Sequence, residues 1–481
     1  MIYLWTVILY LVFLAGVSIW RGRGVKTQEE FMVAGRSASA LFLVATLICT
    51  WIGSGSLFGG AGRAFREGFS ALWMSAGAWV GIAIVYFLAP KVRRIAQFTV
   101  SDILEMRYTP LARLLGTLSI IIAYLTIAGY QLIGGGRLIS LVTDLTPQQG
   151  QWITCGAVVV FVIFAGMRSI LALDLINGIL IILGIAIAAP IALSLAGGWG
   201  GLTSTLPETH FTVTGSKGIW PALGLFFPTF FLLLGESSMY QKFMSAKDEH
   251  AARKAVIGMI IGVIVIETLL DTTAIFGAAH YWGDARFHLA DGSFDQRMTE
   301  TVILEMARHQ LPVWAGVMLL AGAVAIIFST ATTFLMIPAG NVTRDIYQRF
   351  INPQASEKKI LLVNRVMVLL LALVAILLTT RFTSILDMAL YAYTMVGAAV
   401  TPALLAAFLW KRVTPLAGTL SVGAGMLATV VFGILYEAGL SKWDYDYIIY
   451  PAGGASILCL IVVSLLGKPP AEEKWRPFWA Q

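Results

Sequence analysis

The sequence predicts an all-α integral membrane protein of about thirteen transmembrane helices. Three observations carry that prediction. Of 481 residues, 58% are hydrophobic and 12% charged, with a mean hydropathy of +0.82, whereas a soluble domain carries about 25% charged residues. The apolar residues come in blocks of about 18 or more, enough to cross a hydrocarbon core of about 30 Å. The basic residues sit in short loops between those blocks, so the net charge of +7 reflects membrane topology rather than affinity for nucleic acid.

In chain order the blocks span residues 3–20, 39–63, 70–89, 114–140, 150–167, 170–195, 219–240, 256–282, 312–343, 360–380, 384–410, 415–437 and 447–467. The first is read as a span rather than a secretory leader: no basic region precedes it, no A-x-A site follows it, and Arg21 and Arg23 stop it abruptly. The fifth and sixth are separated only by the neighbourhood of Arg168. Between the eighth and ninth lies the longest loop, Gly283 to Gln310, whose run Met298 to Arg308 has helical spacing and is expected to lie over a vestibule.

Loop charge alternates. One set of loops holds Arg21, Arg23, Lys26 and Arg36; Lys91, Arg93, Arg94, Arg107 and Arg113; Lys242, Lys247, Arg253 and Lys254; Arg344, Arg349, Lys358 and Lys359; and Lys411 with Arg412. The opposite loops are almost bare, with no basic residue in Thr143 to Gly150 and only Arg381 between the tenth and eleventh blocks. The positive-inside rule makes the rich loops cytoplasmic, the N-terminus external and the C-terminus cytoplasmic.

Several chemistries are disfavoured. Cys49, Cys155 and Cys459 lie in apolar stretches without metal or disulfide spacing. The five histidines are scattered, and no nucleophile–base or metal constellation suggests an enzyme. No Walker A motif occurs and the segment after Gly467 is short, which speaks against ATP as an energy source.

Two blocks carry unusual polar content. Cys49 to Gly62 holds glycines at 53, 55, 59, 60 and 62. Such a stretch either packs closely against a neighbour or unwinds at mid-membrane to expose carbonyls that line a cavity or bind an ion. The ninth block reads Ile326-Ile-Phe-Ser329-Thr330-Ala-Thr332-Thr333. Its hydroxyls either bond back to the preceding turn or, with carbonyls, supply the hard oxygens a desolvated Na⁺ requires.

Acids within apolar blocks each call for a reason, because a carboxylate in hydrocarbon is costly. Asp174 lies in the sixth block and Glu236 in the seventh, where it is either a solute or coupling contact or a tie to a helix end. Glu267 and Asp271, spaced i, i+4, share one helix face; they face a water-filled path, or one holds a proton. Asp387 reads as a solvated or capping residue. Arg137 follows Gly134-Gly-Gly136 as a counter-charge to an acid or a snorkelling side chain. Trp51, Phe58, Phe227, Phe230, Tyr391 and Tyr393 are candidate walls and gates around a solute.

Several segments, in order, resemble the sodium:solute symporter family: Glu29 to Arg36; Ala165-Gly166 through Asp174 to Asn177; Tyr240-Gln241-Lys242 to Asp248; Ala325 to Thr330 followed by Asp345-Ile-Tyr347; and Phe408-Leu-Trp410-Lys411-Arg412 to Gly418. The resemblance implies a LeuT-like fold with a 5+5 inverted repeat and discontinuous helices at the solute site. Its expected layout is an N-terminal accessory region 1–38, repeats at 39–195 and 196–410, and a C-terminal accessory region 411–481.

Carried onto this chain, the resemblance makes Na⁺ the coupling ion. Its ligands would be the carbonyls of Cys49, Ile52 and Ile326 and the hydroxyls of Ser329 and Thr330, with Asp174 beside them. Trp51, Gly53, Ser54, Glu236, Glu267, Tyr391 and Tyr393 are the candidate solute-binding residues. The sequence departs from the family pattern at Asn177, where glutamine is usual, and at Trp51, where proline-type relatives carry an acid. The expected function is Na⁺-coupled symport of a small polar organic solute, a sugar, polyol or amino-acid-like molecule, by alternating access. Two alternatives stand: proton coupling through Glu236, Glu267 and Asp271, or a non-transporting solute sensor. The expected partners are the solute and membrane lipid, with no nucleic acid and no obligate protein; the expected location is a bacterial inner membrane.

Overall fold

A computed structural model of the chain describes residues 2–22, 27–95, 97–164, 166–382 and 384–479, with no side-chain description for residues 18–22. Arg23 and Lys26 of the first basic loop, and Ala165 of the family-like segment, lie outside the described residues, as does the side chain of Arg21.

The described chain is helical, with two isolated β-bridges. Helix α1 covers Ile2–Gly22, and α2 covers Ala40–Trp51. A π-helical turn, Gly55–Gly60, leads into α3 (Ala61–Glu67). There follow α4 (Leu72–Ile95), α5 (Val100–Arg107), α6 (Pro110–Val142), α7 (Pro147–Phe164) and α8 (Met167–Leu195). The second half brings α9 (Ile219–Gly235), α10 (Ser237–Ser245), α11 (Glu249–Tyr281), α12 (Val302–His309) and α13 (Val313–Asn341). It ends with α14 (Glu357–Leu378), α15 (Ile385–Ala399), α16 (Thr401–Leu409), α17 (Pro415–Glu437), α18 (Ile449–Leu466) and α19 (Glu472–Trp479). Among the described residues, ten helical segments are long and apolar enough to cross a membrane, and Ile2–Val17 and Ala40–Trp51 are shorter apolar helices. The separation near Arg168 is a real break, placed at Gly166, whose backbone is extended (φ −137°, ψ −179°).

Local chemistry sets the helix starts. The side chains of Thr99, Thr109, Asp248, Ser384 and Thr414 each accept an N–H of the first turn of the helix they precede, satisfying donors that have no partner inside the helix. Proline at the first position of α6 and α17 fits the same logic. The outward surfaces are apolar: Leu9, Phe87, Ile261, Leu377 and Leu458 are exposed, as lipid-facing residues are. The packed interior centres on α13, which lies against α8 and α6, while α4 packs against α9 and α11.

The chain has the inverted-repeat architecture of LeuT-like carriers. Each half opens on a helix interrupted near its middle. The first stops at Ile52 (φ −73°, ψ 102°) and the second at Glu236 (φ −68°, ψ 104°). Two unrelated sequences thus make the same backbone excursion at corresponding places.

On the face formed by the basic loops, a buried ion-pair cluster joins distant segments. The Arg113 guanidinium meets Asp102 at 2.6 Å, Glu105 at 2.6 Å and Asp345 at 2.7 Å. Arg349 reaches Glu105 at 2.6 Å, and Thr99 donates to Asp345 at 2.9 Å. In the long loop, the run 298–308 is not one continuous helix: Gln296–Thr299 and α12 flank a turn, and α12 buries Val302, Ile303, Leu304, Met306 and Ala307. Beside it opens a vestibule of about 870 Å³ whose lining includes Arg137, Met298, Glu305 and Arg308.

Removing one partner of a buried cluster leaves the other charges uncompensated. Asp345→Ala is expected to destabilise the protein by on the order of 3 kcal/mol, read as a lower thermal midpoint in detergent. Glu29→Ala, which removes a half-exposed partner of Arg36, is expected to shift the midpoint far less.

Candidate functional site

The first helix break exposes backbone that must find partners inside the protein. At the end of α2 the carbonyls of Cys49 and Ile52 both accept the Thr330 hydroxyl, at 3.1 Å each. The Ser54 N–H donates to Gln131 Oε1 on α6 at 2.9 Å. Glycine at 53 leaves room for these contacts: a Cβ there would lie 2.6 Å from Gln131 Nε2 and 3.0 Å from Thr330 Cγ2, so the Gln131 amide would have to shift.

One helical position from Thr330, the Ser329 hydroxyl turns to Asp174, donating to Oδ1 at 2.5 Å, while Thr46 donates to Oδ2 at 2.5 Å. Asn177 donates to the same carboxylate at 3.5 Å and accepts the Tyr10 hydroxyl at 2.5 Å. Asp174 is buried, yet α2, α8 and α13 surround it with donors. Ile326 lies four residues before Thr330, one turn along the same face of α13. The six residues expected around a sodium ion therefore occupy one neighbourhood, with Cys49, Ile52 and Thr330 in direct contact and Ser329 bound to Asp174.

Lys242, read from the sequence as one of the loop cations, lies instead within α10, the half-helix that follows the second break. It is fully buried, and its ammonium donates to the Thr46 carbonyl at 3.0 Å and to the Thr50 hydroxyl. Thr46 thus links Lys242 on α10 to Asp174 on α8.

Glu236 occupies the second break and is the N-cap of α10. Its carboxylate accepts the backbone N–H of Ser238 (3.2 Å) and Met239 (2.8 Å), the Ser238 hydroxyl (2.6 and 2.7 Å) and the Tyr124 hydroxyl (2.6 Å). The tie to a helix end, one of the two roles open from sequence, is the one these contacts describe. The negative charge also faces the positive end of the half-helix dipole.

Between the two breaks lies a small cavity of about 20 Å³, roughly one water in size, whose lining includes Thr50, Trp51, Tyr130, Glu236, Ser238 and Tyr393. Trp51 stacks on Tyr393 with centroids 6.4 Å apart and planes 25° apart. Gly53 and Ser54 lie behind this wall against α6. Tyr391 does not reach the cavity: two residues along a helix is a rotation of about 200°, which puts it against Phe382 and Tyr445 instead. Phe227 and Phe230 pack among other aromatics of α9, and Phe227 meets Tyr450. Phe58 lies under Arg137, at 5.9 Å.

Glu267 and Asp271 share the predicted face of α11. Glu267 accepts the indole N–H of Trp51 at 2.9 Å and of Trp79 at 3.1 Å, and Asp271 accepts Ser75 at 3.3 Å. Arg137 does find an acid, Glu300, at 2.7 Å, and Glu300 also accepts the first free N–H groups of α15, from Ile385 and Leu386. Sequence reasoning missed Gln131, Tyr124 and Ser238. Gln131 left a signal, being the only side-chain amide in the apolar run 114–140, where polar residues carry a function by default.

If Glu236 is a cap, its loss must weaken the protein even without solute. Glu236→Ala is expected to cost about 1–2 kcal/mol, seen as a lower thermal midpoint of the purified protein. Glu236→Gln, which keeps one acceptor oxygen, is expected to lose less.

Comparison with known proteins follows the same lines. The model of the "Sodium:solute symporter family" matches residues 31–429. The osmoregulated proline transporter OpuE of Bacillus subtilis (strain 168) is 27% identical over 474 residues, 94% of this chain and 92% of that protein. The sodium/proline symporter of Escherichia coli (strain K12) is 25% identical over 489 residues, 97% and 93% of the two chains. The sodium/pantothenate symporter of the same organism is 25% identical over 476 residues, 95% and 94% of the two. Among solved structures, a Na⁺-coupled sialic acid symporter in a substrate-bound outward-open state superposes with a TM-score of 0.81 at 15% identity, covering 98% of both chains. The nucleobase-cation-symport-1 family transporter Mhp1, in a closed conformation, gives 0.58 at 13% identity over 93% of this chain and 97% of that one. At such identities the superpositions speak to fold. The relatives are named as bacterial transporters and symporters, and together with the family match they support Na⁺-coupled symport of a small molecule. The chain belongs to the sodium:solute symporter family, whose members are solute carriers and not enzymes.

Proposed function

We propose that this protein uses Na⁺ entry to drive uptake of a small polar solute by alternating access. The observation that carries this reading is the Thr330 hydroxyl bridging the carbonyls of Cys49 and Ile52 across the first helix break. Carbonyls and hydroxyls are the neutral hard oxygens a desolvated Na⁺ takes. The donor set suits the ion: two freed carbonyls, the Ser329 and Thr330 hydroxyls, the Ile326 level of α13 and the Asp174 carboxylate beside them. Na⁺ bound there ties the interrupted helix of the first half to α13 of the second. Coupling is then the reciprocal gain in affinity between ion and solute. The membrane potential contributes about 2.3 kcal/mol per charge per 100 mV.

The repeats are assigned to residues 39–195 and 196–410, flanked by accessory segments. The basic loops are assigned to the cytoplasm of a bacterial cell, with the N-terminus outside. In that orientation the Arg113 cluster seals the inner face and the vestibule opens outward.

The solute is assigned to the cavity between the two breaks, with Trp51 and Tyr393 as its movable wall. Since the cavity has room for about one water, the two rings must part to admit it. The Glu236 carboxylate accepts four donors, the Tyr124 and Ser238 hydroxyls and the Ser238 and Met239 N–H groups, leaving little capacity for the donors of a solute. The proline transporters among the relatives favour an amino-acid-like solute over a sugar or polyol, although the resemblance sets Trp51 where proline-type relatives carry an acid.

The ion site is tested by Na⁺-dependent thermal stabilisation, which needs no known solute. The pair Ser329→Ala and Thr330→Ala is expected to raise the Na⁺ concentration for half-maximal stabilisation by about tenfold. An unchanged Na⁺ dependence in a folded protein would refute the assignment. Uptake of L-proline and pantothenate into proteoliposomes, in sodium and in sodium-free acidic buffer, separates Na⁺ from proton coupling.

A further inference from the structure

We infer that Glu267 is a positioning residue: it tethers the Trp51 indole and so controls how readily the wall of the central cavity opens. The inference rests on the reading of that cavity as the solute site. It changes the part Glu267 plays there, from a group that touches solute to one that acts through Trp51.

Trp51 is the last residue of α2, next to the break at Ile52. The helical ladder ends one residue later, with the Ile52 N–H on the Ile48 carbonyl at 2.9 Å, so no further helical turn follows to pack against its ring. The ring is held instead by two contacts. One is the stack on Tyr393, whose hydroxyl lies 3.4 Å from that of Tyr130. The other is the bond from the indole N–H to Glu267 Oε1, at 2.9 Å.

Glu267 is buried in the body of α11, an unbroken helix of 33 residues, and so offers a fixed anchor. Its second oxygen accepts the Trp79 indole of α4 at 3.1 Å, and Ser56 approaches Oε1 at 3.5 Å. No Lys or Arg forms an ion pair with it among the described residues.

The chemistry explains why a carboxylate stands here despite its cost in a membrane. Two indoles present two N–H donors and no acceptor. A carboxylate supplies one oxygen to each, whereas glutamine supplies one oxygen for both and turns its own N–H₂ towards the other indole. Glu267 is not among the residues that line the cavity. Its influence reaches the cavity through the angle and freedom of the Trp51 ring.

The test measures opening of the cavity and needs no solute. Ile127 lines the cavity. Ile127→Cys is placed in full-length protein carrying Cys155→Ala and Cys459→Ala, and its reaction with a methanethiosulfonate reagent is timed; the same protein without Ile127→Cys reports any reaction of Cys49. Trp51→Phe keeps the ring but removes the N–H, and Glu267→Gln removes one acceptor. Each is expected to speed labelling about fivefold, and the double variant to be no faster than the faster single one, because both break the same bond. Multiplying effects, or an unchanged rate in folded Glu267→Gln, overturn the inference. Should Glu267→Gln not fold, Trp51→Phe is set against Trp79→Phe: only the first is expected to accelerate labelling, and equal effects overturn it. Labelling is independent of transport, so loss of Na⁺-coupled uptake as the function would leave the tether standing, and the reverse.

Discussion

The structure depends on one constraint: a helix interrupted inside a membrane frees backbone N–H and C=O groups that cannot turn to water. This chain meets it twice with different chemistry. At Ile52 the freed carbonyls accept a threonine hydroxyl from α13, and the freed N–H of Ser54 finds the Gln131 amide of α6. At Glu236 the residue at the break caps the next half-helix with its own carboxylate. The two excursions have nearly the same dihedral angles, so the repeat is conserved in geometry while the residues that satisfy it differ.

The satisfying groups come from distant parts of the chain, and this makes the breaks mechanically useful. Thr330 is 278 residues from Ile52, and Tyr124 is 112 residues from Glu236. A relative movement of the halves must exchange these bonds for others. The buried charges follow the same pattern. Asp174 and Lys242 are linked through Thr46, and Glu300 joins Arg137 to the start of α15. Inside the protein, charge is spent on joining segments that the chain itself does not hold together.

The aromatic wall of the cavity rests on a buried acid. Glu267 lies beside the break on α11, with two indoles bonded to it. The Trp51 ring and the carboxylate that holds it are thus supplied by two residues on two helices.

Much of this was legible in the sequence. Apolar block length and low charge determine a multi-pass helical membrane protein, because continuous apolar blocks of that length cross hydrocarbon as helices that satisfy their own backbone. Glycines around Ile52 and hydroxyls at 329 and 330 single out the region of the first break and of its partner, though each feature alone also fits close packing or bonding back to its own helix. The second break left no such mark, since Glu236 reads equally as a solute contact and as a cap. Only packing decides between them, by bringing Tyr124 to it and turning its oxygens onto Ser238 and Met239. Likewise Tyr391 and Tyr393 are equivalent as letters, and only the rotation of α15 assigns one to the cavity and the other to the Tyr445 cluster. The sequence by itself determined which segments are buried in lipid and where their backbone is weak, because those follow from composition and local propensity. The tertiary structure decided which side chain answers each unpaired group, because those partners are far apart along the chain and meet only when the helices pack.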